Sequence, residues 1–442
     1  MGSDLILYIL RRHKTGETVG IYSVCSAHRQ VLEAAMLQAK ADDSPLLIES
    51  TSNQVDQFGG YSGMTPKQFV QCVQQIARSS NFPFERIILG GDHLGANVWQ
   101  KESAVAALAN ARDQVIAYVQ AGYQKLHLDA TMRCVDDPPL PLPAELIAER
   151  TAQLCQVAET ARLSGEEALV YVIGSDVPQP GGATSSLDQV HTTPVQSVEE
   201  TLYLTKLAFK NKGLEHVWER VCALVVQPGI EFDHQQVFDY HPARAAELKT
   251  FIEKIPNCVY EAHSTDYQTP LSLRTMVADH FAILKVGPGL TFAFREAVFA
   301  LAAIEQEWLN GRKNVSMSNL PVVIDRDMAE NPVFWQHHYQ GDDTTIARLR
   351  KFGFSDRIRY YWSQPKVVAC LALLLNNLSV HPAPLTLLSQ YLPAQYEAIR
   401  AGEIPNQPLA MIYHKIRNVL LGYVQATGMN VHKNSSPISD RS

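Results

Sequence analysis

The feature that most constrains this chain is a series of eight short apolar runs within its first 290 residues. Each run ends in a polar or charged cluster, and the segment between two runs is long enough for a helix and two loops. The runs are Val19–His28, Pro45–Thr51, Arg86–Leu94, Lys125–Met132, Leu169–Val177, Arg220–Gly229, Cys258–Ser264 and Phe281–Leu290. Eight strands that alternate with helices predict an α/β protein folded as a (β/α)8 barrel, the TIM-barrel architecture.

A barrel of this kind also predicts where the chemistry lies, because its active site forms at the carboxyl ends of the strands. The polar residues that follow the apolar runs are Ser26, His28, Glu49, Asn53, Asp92, His93, Asp129, Asp176, Gln227, Glu261, His263 and Lys285. We therefore expect these side chains to surround one mouth of the barrel.

The length of 442 residues suits one barrel and roughly 130 further residues. The strand–helix rhythm stops near residue 310, and helical segments with aromatic anchors follow. We predict a barrel over residues 1–310 and a mainly helical extension over residues 311–430, which packs on the barrel or serves assembly. Residues 431–442 have the composition of a disordered tail.

Composition excludes several classes of protein. The net charge of −7 is not that of a nucleic-acid binder. Neither a signal peptide nor a run of 18 apolar residues is visible, so we expect a cytoplasmic protein that does not span a membrane. The seven cysteines form no CxxC pair and are expected to be buried, reduced thiols. The absence of a GxxxxGK[ST] or GxGxxG motif disfavours a P-loop kinase and a Rossmann dehydrogenase.

The pair Asp92-His93 at the end of the third strand is the sharpest local signal. A carboxylate beside an imidazole at this position can serve as a general acid or base and as a metal ligand. The alternative is an aspartate that caps a loop beside a hydrogen-bonded histidine. The position at a strand end favours the functional interpretation.

A second pair, Glu261 and His263, shares one face of the seventh strand, which lies across a barrel from the third strand. We predict that His93, His263 and Glu261 bind a divalent metal, with zinc as the first choice and manganese or nickel as alternatives. Asp129 would supply a further ligand or orient one. A polar mouth held together by hydrogen bonds remains the other interpretation.

Other residues near the strand ends leave alternatives open. Lys285 pairs with a carboxylate or acts as a Schiff-base lysine. Main-chain N–H groups near Gly287 and in the glycine-containing loop Gly174–Gly182, a candidate lid, could face a phosphate. The residues a little after the sixth strand have either a direct role or the role of a helix N-terminus; they are Glu231, Asp233 and His234.

Several long motifs resemble the Z subunit of D-tagatose-1,6-bisphosphate aldolase, from about Arg12 to about Leu421. They are Glu49-Ser-Thr-Ser-Asn-Gln-Val, Gln57-Phe-Gly-Gly-Tyr-Ser-Gly-Met-Thr-Pro66, Gly90-Gly-Asp-His-Leu-Gly95, Val226-Gln-Pro-Gly229, Tyr260-Glu-Ala-His-Ser-Thr-Asp-Tyr-Gln268, Leu284-Lys-Val-Gly-Pro288 and Ser355-Asp-Arg-Ile-Arg-Tyr-Tyr-Trp362. The resemblance implies an oligomeric, accessory partner of a separate class II, zinc-dependent aldolase subunit in galactitol or N-acetylgalactosamine breakdown. The family is also named tagatose-6-phosphate kinase, which this sequence does not support physically.

The resemblance to class II aldolases extends to individual residues. Asp92-His93 matches the aspartate–histidine pair of the catalytic relatives, and His263 matches the last of their zinc-binding histidines. The chain departs from them at Gln227, where they place a histidine, and at Ser264-Thr-Asp266, where their phosphate motif differs. These departures put independent aldol cleavage in doubt, although Glu261 or Gln227 could complete a metal shell.

Three hypotheses follow: an accessory subunit, a stand-alone metal-dependent fructose/tagatose C4 epimerase, and a binding module without chemistry. The resemblance suggests the second because some relatives have been used as epimerases. In that reaction Asp92 would act near the C4 hydroxyl, with Asp129 or Glu261 as the second acid or base. The residues expected to bind a ketose or ketose phosphate are Glu49, Asn53, Gln227, Ser264, Asp266, Lys285 and Gly287.

Overall fold

The computed structural model describes residues 2–429 except 140, 164, 166, 179, 180, 184–186 and 188. Over these residues, eight parallel strands close into a barrel in the order β1-β2-β3-β4-β5-β6-β9-β10. The ten strands are β1 Ile21–Val24, β2 Leu46–Thr51, β3 Ile87–Gly95, β4 Lys125–Asp129, β5 Val170–Gly174, β6 Val221–Val225, β7 Glu231–Phe232, β8 Val237–Phe238, β9 Val259–Ala262 and β10 Ile283–Val286. The predicted barrel is confirmed, and each of its strands lies within a predicted apolar run except β3, which extends one residue further to Gly95.

A helix follows each strand of the barrel. The helices up to the closure of the barrel are α1 Gly2–Lys14, α2 Arg29–Asp42, α3 Pro66–Ser79, α4 Ala104–Gln120, α5 Ala144–Ala161, α6 Val195–Asn211, α7 Pro242–Glu253, α8 Pro270–Ala278 and α9 Pro288–Leu309. Local sequence sets where they begin. At α3, for example, Thr65 and Gln68 form a capping box and Pro66 occupies the first turn.

Helix α1 covers the end of the barrel opposite the carboxyl ends of the strands. Its buried side chains Ile6, Ile9 and Leu10 belong to one apolar cluster with residues at the starts of the strands, including Ile21 and Ile283. This cluster seals that end of the barrel against water, so the polar mouth is left as the end at which a ligand can enter.

The chain after residue 310 is helical, as the fold prediction required. Its helices are α10 Leu320–Glu330, α11 Asp343–Phe352, α12 Pro365–Val380, α13 Leu385–Tyr391, α14 Pro393–Arg400 and α15 Pro408–Thr427. Helix α15 packs against α2, α8 and α9, and Tyr423 donates a hydrogen bond of 2.8 Å to the carbonyl of Thr265. The domain boundary near residue 310 stays a prediction, and the predicted disordered tail lies outside the described residues.

The segment after β6 differs from one of the predicted alternatives. Glu231 lies in the β7–β8 hairpin, and Asp233 accepts hydrogen bonds from the main-chain N–H groups of Gln235 and Gln236 in its turn. A helix N-terminus at these residues was therefore the wrong interpretation, because the aspartate caps a tight turn and α7 begins only at Pro242.

Two further observations concern the whole described chain. All seven cysteines lie in it and are free, and three of them are only partly buried. Among the described residues, no helix combines the length and the apolar character needed to cross a bilayer.

Candidate active site and metal centre

A cavity of about 280 Å³ opens at the carboxyl ends of the strands. The loops after β1, β2, β3, β9 and β10 contribute to its lining, and so does the helical extension. The lining residues that carry charge or a metal-ligating atom are Cys25, His28, Arg29, Asp92, His93, His263, Asp266, Lys285 and Arg359. The predicted mouth is thus a cavity in which acidic, basic and imidazole groups meet.

Among the described residues, four buried side chains bring one ligand atom each to within 4.8 Å of one another. They are Asp92 and His93 from β3, His127 from β4 and His263 after β9. The rings of His93 and His263 lie 4.8 Å apart between centroids, although their strands face each other across the barrel. An aspartate with three imidazoles is a donor set that suits zinc and similar divalent ions.

The orientation of the three imidazoles also fits a metal. His93 Nδ1 lies 2.9 Å from Asp129, His127 Nδ1 lies 3.0 Å from Asp92, and His263 Nε2 lies 3.0 Å from Glu261. A carboxylate at one ring nitrogen orients the other nitrogen toward a metal in many protein sites. His127 Nε2 is buried without a hydrogen-bond partner in the described part of the chain. This nitrogen is therefore available as a metal ligand.

The backbone of β3 is irregular at the same residues. The pairing of β3 with β4 shifts register between Gly91 and Leu94. His93 has a φ of 50°, a left-handed conformation that is costly for a residue with a side chain. Such an irregularity re-aims side chains at the end of a strand. Here it turns both Asp92 and His93 toward the mouth.

Electrostatics sets the charge of these groups. Burial would raise the pKa of Asp92, but the positive charges of His93 and Lys285 outweigh it and hold that pKa well below its usual range. Burial lowers the pKa of His263 to about 3 despite the hydrogen bond with Glu261. At neutral pH the site therefore offers an ionised Asp92 and a neutral His263, which are the protonation states that bind metals. Burial opposes the charge of His93, but Asp92 and Asp129 raise its pKa, so this ring releases a proton when it binds a metal.

A buried ionic cluster lies beneath the histidines. Lys125 is 2.6 Å from both Glu49 and Glu261, and Lys285 is 2.5 Å from both Glu49 and Asp92. Burial opposes the charge of Lys285, but Asp92 and the other acidic groups nearby raise its pKa well above the usual range. The paired form of Lys285 is thus the one present, and a protonated amine is not a Schiff-base nucleophile.

The predicted catalytic and metal-binding residues therefore lie at two depths. Some line the cavity, and others are buried beneath it. Among the predicted metal ligands, the structure brings His93 and His263 together and adds His127. Glu261 lies outside the four converging side chains, because Lys125 and His263 engage its carboxylate. Asp129 is fully buried behind His93 and does not line the cavity. It is therefore placed to orient His93.

Only some of the predicted substrate-binding residues line the cavity. Those that line the cavity are Asn53, Ser264, Asp266, Lys285 and Gly287. Glu49 lies beneath the cavity in the ionic cluster. Gln227 accepts hydrogen bonds from the N–H groups of Gly229 and Ile230 within its own loop and does not line the cavity. Asp176 pairs with the exposed His191 instead of facing the mouth.

Sequence reasoning missed two contributions. His127 carries a local signal, since strand alternation puts it on the same face as Asp129. Arg359 and Tyr360 of the extension also line the cavity, and although both lie in the family motif that ends at Trp362, nothing in that motif predicts a place at the cavity. They lie far along the chain from the strand ends, so only the docking of the extension brings them there.

Comparisons with known proteins bear on this site. The family described as D-tagatose-1,6-bisphosphate aldolase subunit GatZ/KbaZ-like matches residues 6–428. A crystal structure from Sinorhizobium meliloti 1021, called a probable tagatose 6 phosphate kinase, has 42% sequence identity and a TM-score of 0.84. The match covers 92% of this chain and 100% of that one.

A fructose-bisphosphate aldolase from Campylobacter jejuni is a more distant likeness, with 13% identity and a TM-score of 0.47. That match covers 86% of this chain and 94% of the other. The YdjI aldolase from Escherichia coli K12 has 11% identity and a TM-score of 0.41, over 84% and 96% of the two chains. Neither of these two likenesses is close enough to carry an argument about function.

Proposed function

Because this chain belongs to the D-tagatose-1,6-bisphosphate aldolase subunit GatZ/KbaZ-like family, we propose that it is the accessory subunit of such an aldolase. It supports the activity and stability of a separate class II catalytic subunit in galactitol or N-acetylgalactosamine breakdown, as part of a hetero-oligomer. The pairing is cytoplasmic, because phosphorylated sugars are charged and do not leave the cell by diffusion. We do not propose the kinase activity that names the Sinorhizobium relative, since the sequence has no P-loop.

The observation that carries this proposal is the environment of Gln227. The catalytic aldolases place a metal-binding histidine at the corresponding strand end. Gln227 instead uses its side-chain oxygen to accept hydrogen bonds of 2.9 and 3.0 Å within its own loop. A side chain that holds its loop in this way does not reach a metal or a sugar, so the aldolase centre differs from that of the catalytic relatives.

The test is reconstitution with the class II aldolase from the same source. We expect the full chain to co-purify with that subunit and to raise its rate of tagatose 1,6-bisphosphate cleavage and its half-life at elevated temperature. The variant Asp92→Asn is the informative partner in this assay, because it alters the chain's own site and leaves its surface unchanged. Support by both the wild type and Asp92→Asn agrees with an accessory role, whereas absence of both co-purification and activation contradicts it.

A second candidate function is the metal-dependent C4 epimerisation of a ketohexose. It is favoured by the convergence of Asp92, His93, His127 and His263 at the cavity, which three of them line, because a purely structural subunit does not need such a cluster. A divalent ion bound there would polarise a ketose carbonyl. Asp92, kept ionised by His93 and Lys285, would accept the proton of the C4 hydroxyl, and Asp129 would hold His93 in position.

The epimerase is tested on the isolated chain with fructose and tagatose, by following their interconversion by NMR. Interconversion that stops with chelator and with His127→Ala would support it. The variant His191→Ala is the matched control, because His191 is an exposed histidine that pairs with Asp176. No turnover in the metal-loaded wild type would remove this candidate.

A further inference from the structure

One wall of the cavity comes from the helical extension, in the short turn Arg357–Tyr361. The hydrogen bonds of Arg359 there go to neutral groups, although the buried carboxylates of Asp356 and Asp266 lie near enough to interact with its charge. Its guanidinium donates to the main-chain carbonyls of Ser355 and Asp356 and, over 2.8 Å, to the hydroxyl of Tyr360. Among the described residues, no carboxylate lies within ion-pair distance of Arg359. The cavity is therefore lined by a positive charge without a direct ion-pair partner.

The surroundings of Arg359 hold it in a fixed place. A Cβ atom at Gly181 would come within 2.6 Å of Nη2, so the loop after β5 approaches the guanidinium closely because residue 181 is a glycine with a φ of 91°. On another side, the rings of Tyr61 and Tyr360 meet edge to face, with their centroids 4.7 Å apart. Three of the five N–H groups of the guanidinium are engaged by Ser355, Asp356 and Tyr360, and a guanidinium positioned in advance can donate its remaining N–H groups to a phosphate.

A second anion site would be expected at the start of α9. Barrels often bind phosphate with the loops after the seventh and eighth strands and a helix N-terminus. In this chain, Asp266 already occupies that position. One of its carboxylate oxygens accepts hydrogen bonds from the N–H groups of Gly287, at 2.9 Å, and Gly289, at 2.7 Å. A phosphate at the same N–H groups would have to displace a buried carboxylate of like charge.

We propose that this cavity recognises the phosphate of a ketose monophosphate through Arg359 of the extension, while Asp266 closes the main-chain anion site at the start of α9. The sugar class rests on the proposed function, whereas the two phosphate determinants rest on the contacts of Arg359 and Asp266. One phosphate site is then open and the other is closed. The arrangement discriminates against a bisphosphate and leaves bisphosphate cleavage to another subunit.

The experiment compares tagatose with tagatose 6-phosphate on the isolated full chain by calorimetry. We expect the wild type to bind the phosphate ester about tenfold to a hundredfold more tightly, as charge-assisted hydrogen bonds to a guanidinium provide. Arg359→Gln should remove this difference between the two affinities. Arg359→Lys should keep part of it, because the charge remains and the planar fork is lost.

Arg357→Gln is the matched control. Arg357 lies on the same turn and contacts His338 and Tyr360, but it does not line the cavity. Asp266→Gly should open the start of α9 and raise the affinity for tagatose 1,6-bisphosphate relative to tagatose 6-phosphate. Thermal unfolding shows whether each variant is folded, and Arg359→Lys serves if Arg359→Gln is not.

Three results would overturn the proposal: equal or absent binding of the two sugars by the wild type, a phosphate preference that survives Arg359→Gln, or an equal loss in Arg357→Gln. None of these measurements uses the aldolase partner. A chain that fails to activate the partner but shows the Arg359-dependent preference would therefore contradict the accessory role alone, and the reverse result would contradict this inference alone.

Discussion

His93 Nδ1 lies 2.9 Å from the carboxylate of Asp129, and this contact joins the ends of two neighbouring strands. The main chain holds the same two strands together, because Gly95 pairs with Asp129 in the parallel register of β3 and β4. The barrel sheet thus fixes the orientation of His93, a candidate metal ligand. A substitution that disturbs the pairing of β3 and β4 at this point should therefore also displace His93.

Replacing the orienting carboxylate tests this relationship. Asp129→Asn should lower the affinity for zinc by about 10- to 100-fold, because such partners fix the ring orientation and raise the basicity of a ligating imidazole. Competition with a chromophoric chelator measures the affinity. Asp176→Asn is the control, since Asp176 orients only the exposed His191. Equal zinc affinity in Asp129→Asn and the wild type would show that His93 is not a ligand.

The donor set itself is tested at His127, the member that sequence reasoning did not include. His127→Ala removes one of the four converging ligand atoms. We expect near-stoichiometric metal in the reconstituted wild type and a large loss in the variant, measured by mass spectrometry after dialysis. His191→Ala should retain the metal. Full metal content in His127→Ala would mean that the ion binds through other side chains.

Gly95 offers a test of the close approach between β3 and β4. An added Cβ would lie 1.8 Å from the carbonyl oxygen of Asp129, and main chain cannot move aside as a flexible side chain can. Gly95→Ala should therefore destabilise the fold by about 1–3 kcal/mol or more and weaken metal binding. In Gly422→Ala the nearest atom is 3.8 Å away and the residue lies inside α15, so we expect no loss of stability and a gain of up to about 1 kcal/mol from helix propensity. Urea unfolding of both variants makes the comparison.

We expect that breaking an ion pair of the buried cluster lowers the free energy of unfolding much more than breaking a surface ion pair. Lys125→Met leaves Glu49 and Glu261 without one of their charge partners, and we expect a loss of about 3–5 kcal/mol in the free energy of unfolding. Arg86→Met, which breaks the surface pair with Asp43, should cost less than about 1 kcal/mol. Denaturant titration checks both, and similar losses would contradict the assigned burial of the cluster.

Asp266 predicts a particular pH dependence. Burial raises its pKa from 3.8 to about 6, although the N–H groups of Gly289 and Gly287 lower it. The folded state therefore binds more protons than the unfolded state between these values, and the contribution of Asp266 to stability falls as the pH rises through that window.

Asp266→Asn keeps an acceptor for both N–H groups and carries no charge. Its free energy of unfolding relative to that of the wild type should rise from pH 5 to pH 8 by about 1.4 kcal/mol. Scanning calorimetry at the two pH values measures this. A stabilisation that is equal at both, or larger at pH 5, would show that the carboxylate is not strained by burial.

Much of this protein was determined by local sequence. The eight apolar runs, each followed by a polar cluster, predicted the eight barrel strands. This was possible because an apolar run is a short-range property of the chain. The same pattern placed Asp92, His93 and His263 at the active-site mouth. The long family motifs then identified the aldolase-subunit family.

The tertiary structure alone decided how the predicted side chains divide their roles. Glu261 was an equal candidate for the metal, but Lys125 approaches it from another strand and engages its carboxylate. Arg359 lies in a family motif that does not indicate its position in the fold, and Asp266 turns back onto the start of α9. Each outcome depends on which charge lies nearest in space. Contacts between residues far apart along the chain form only once the barrel has closed and the extension has docked on it.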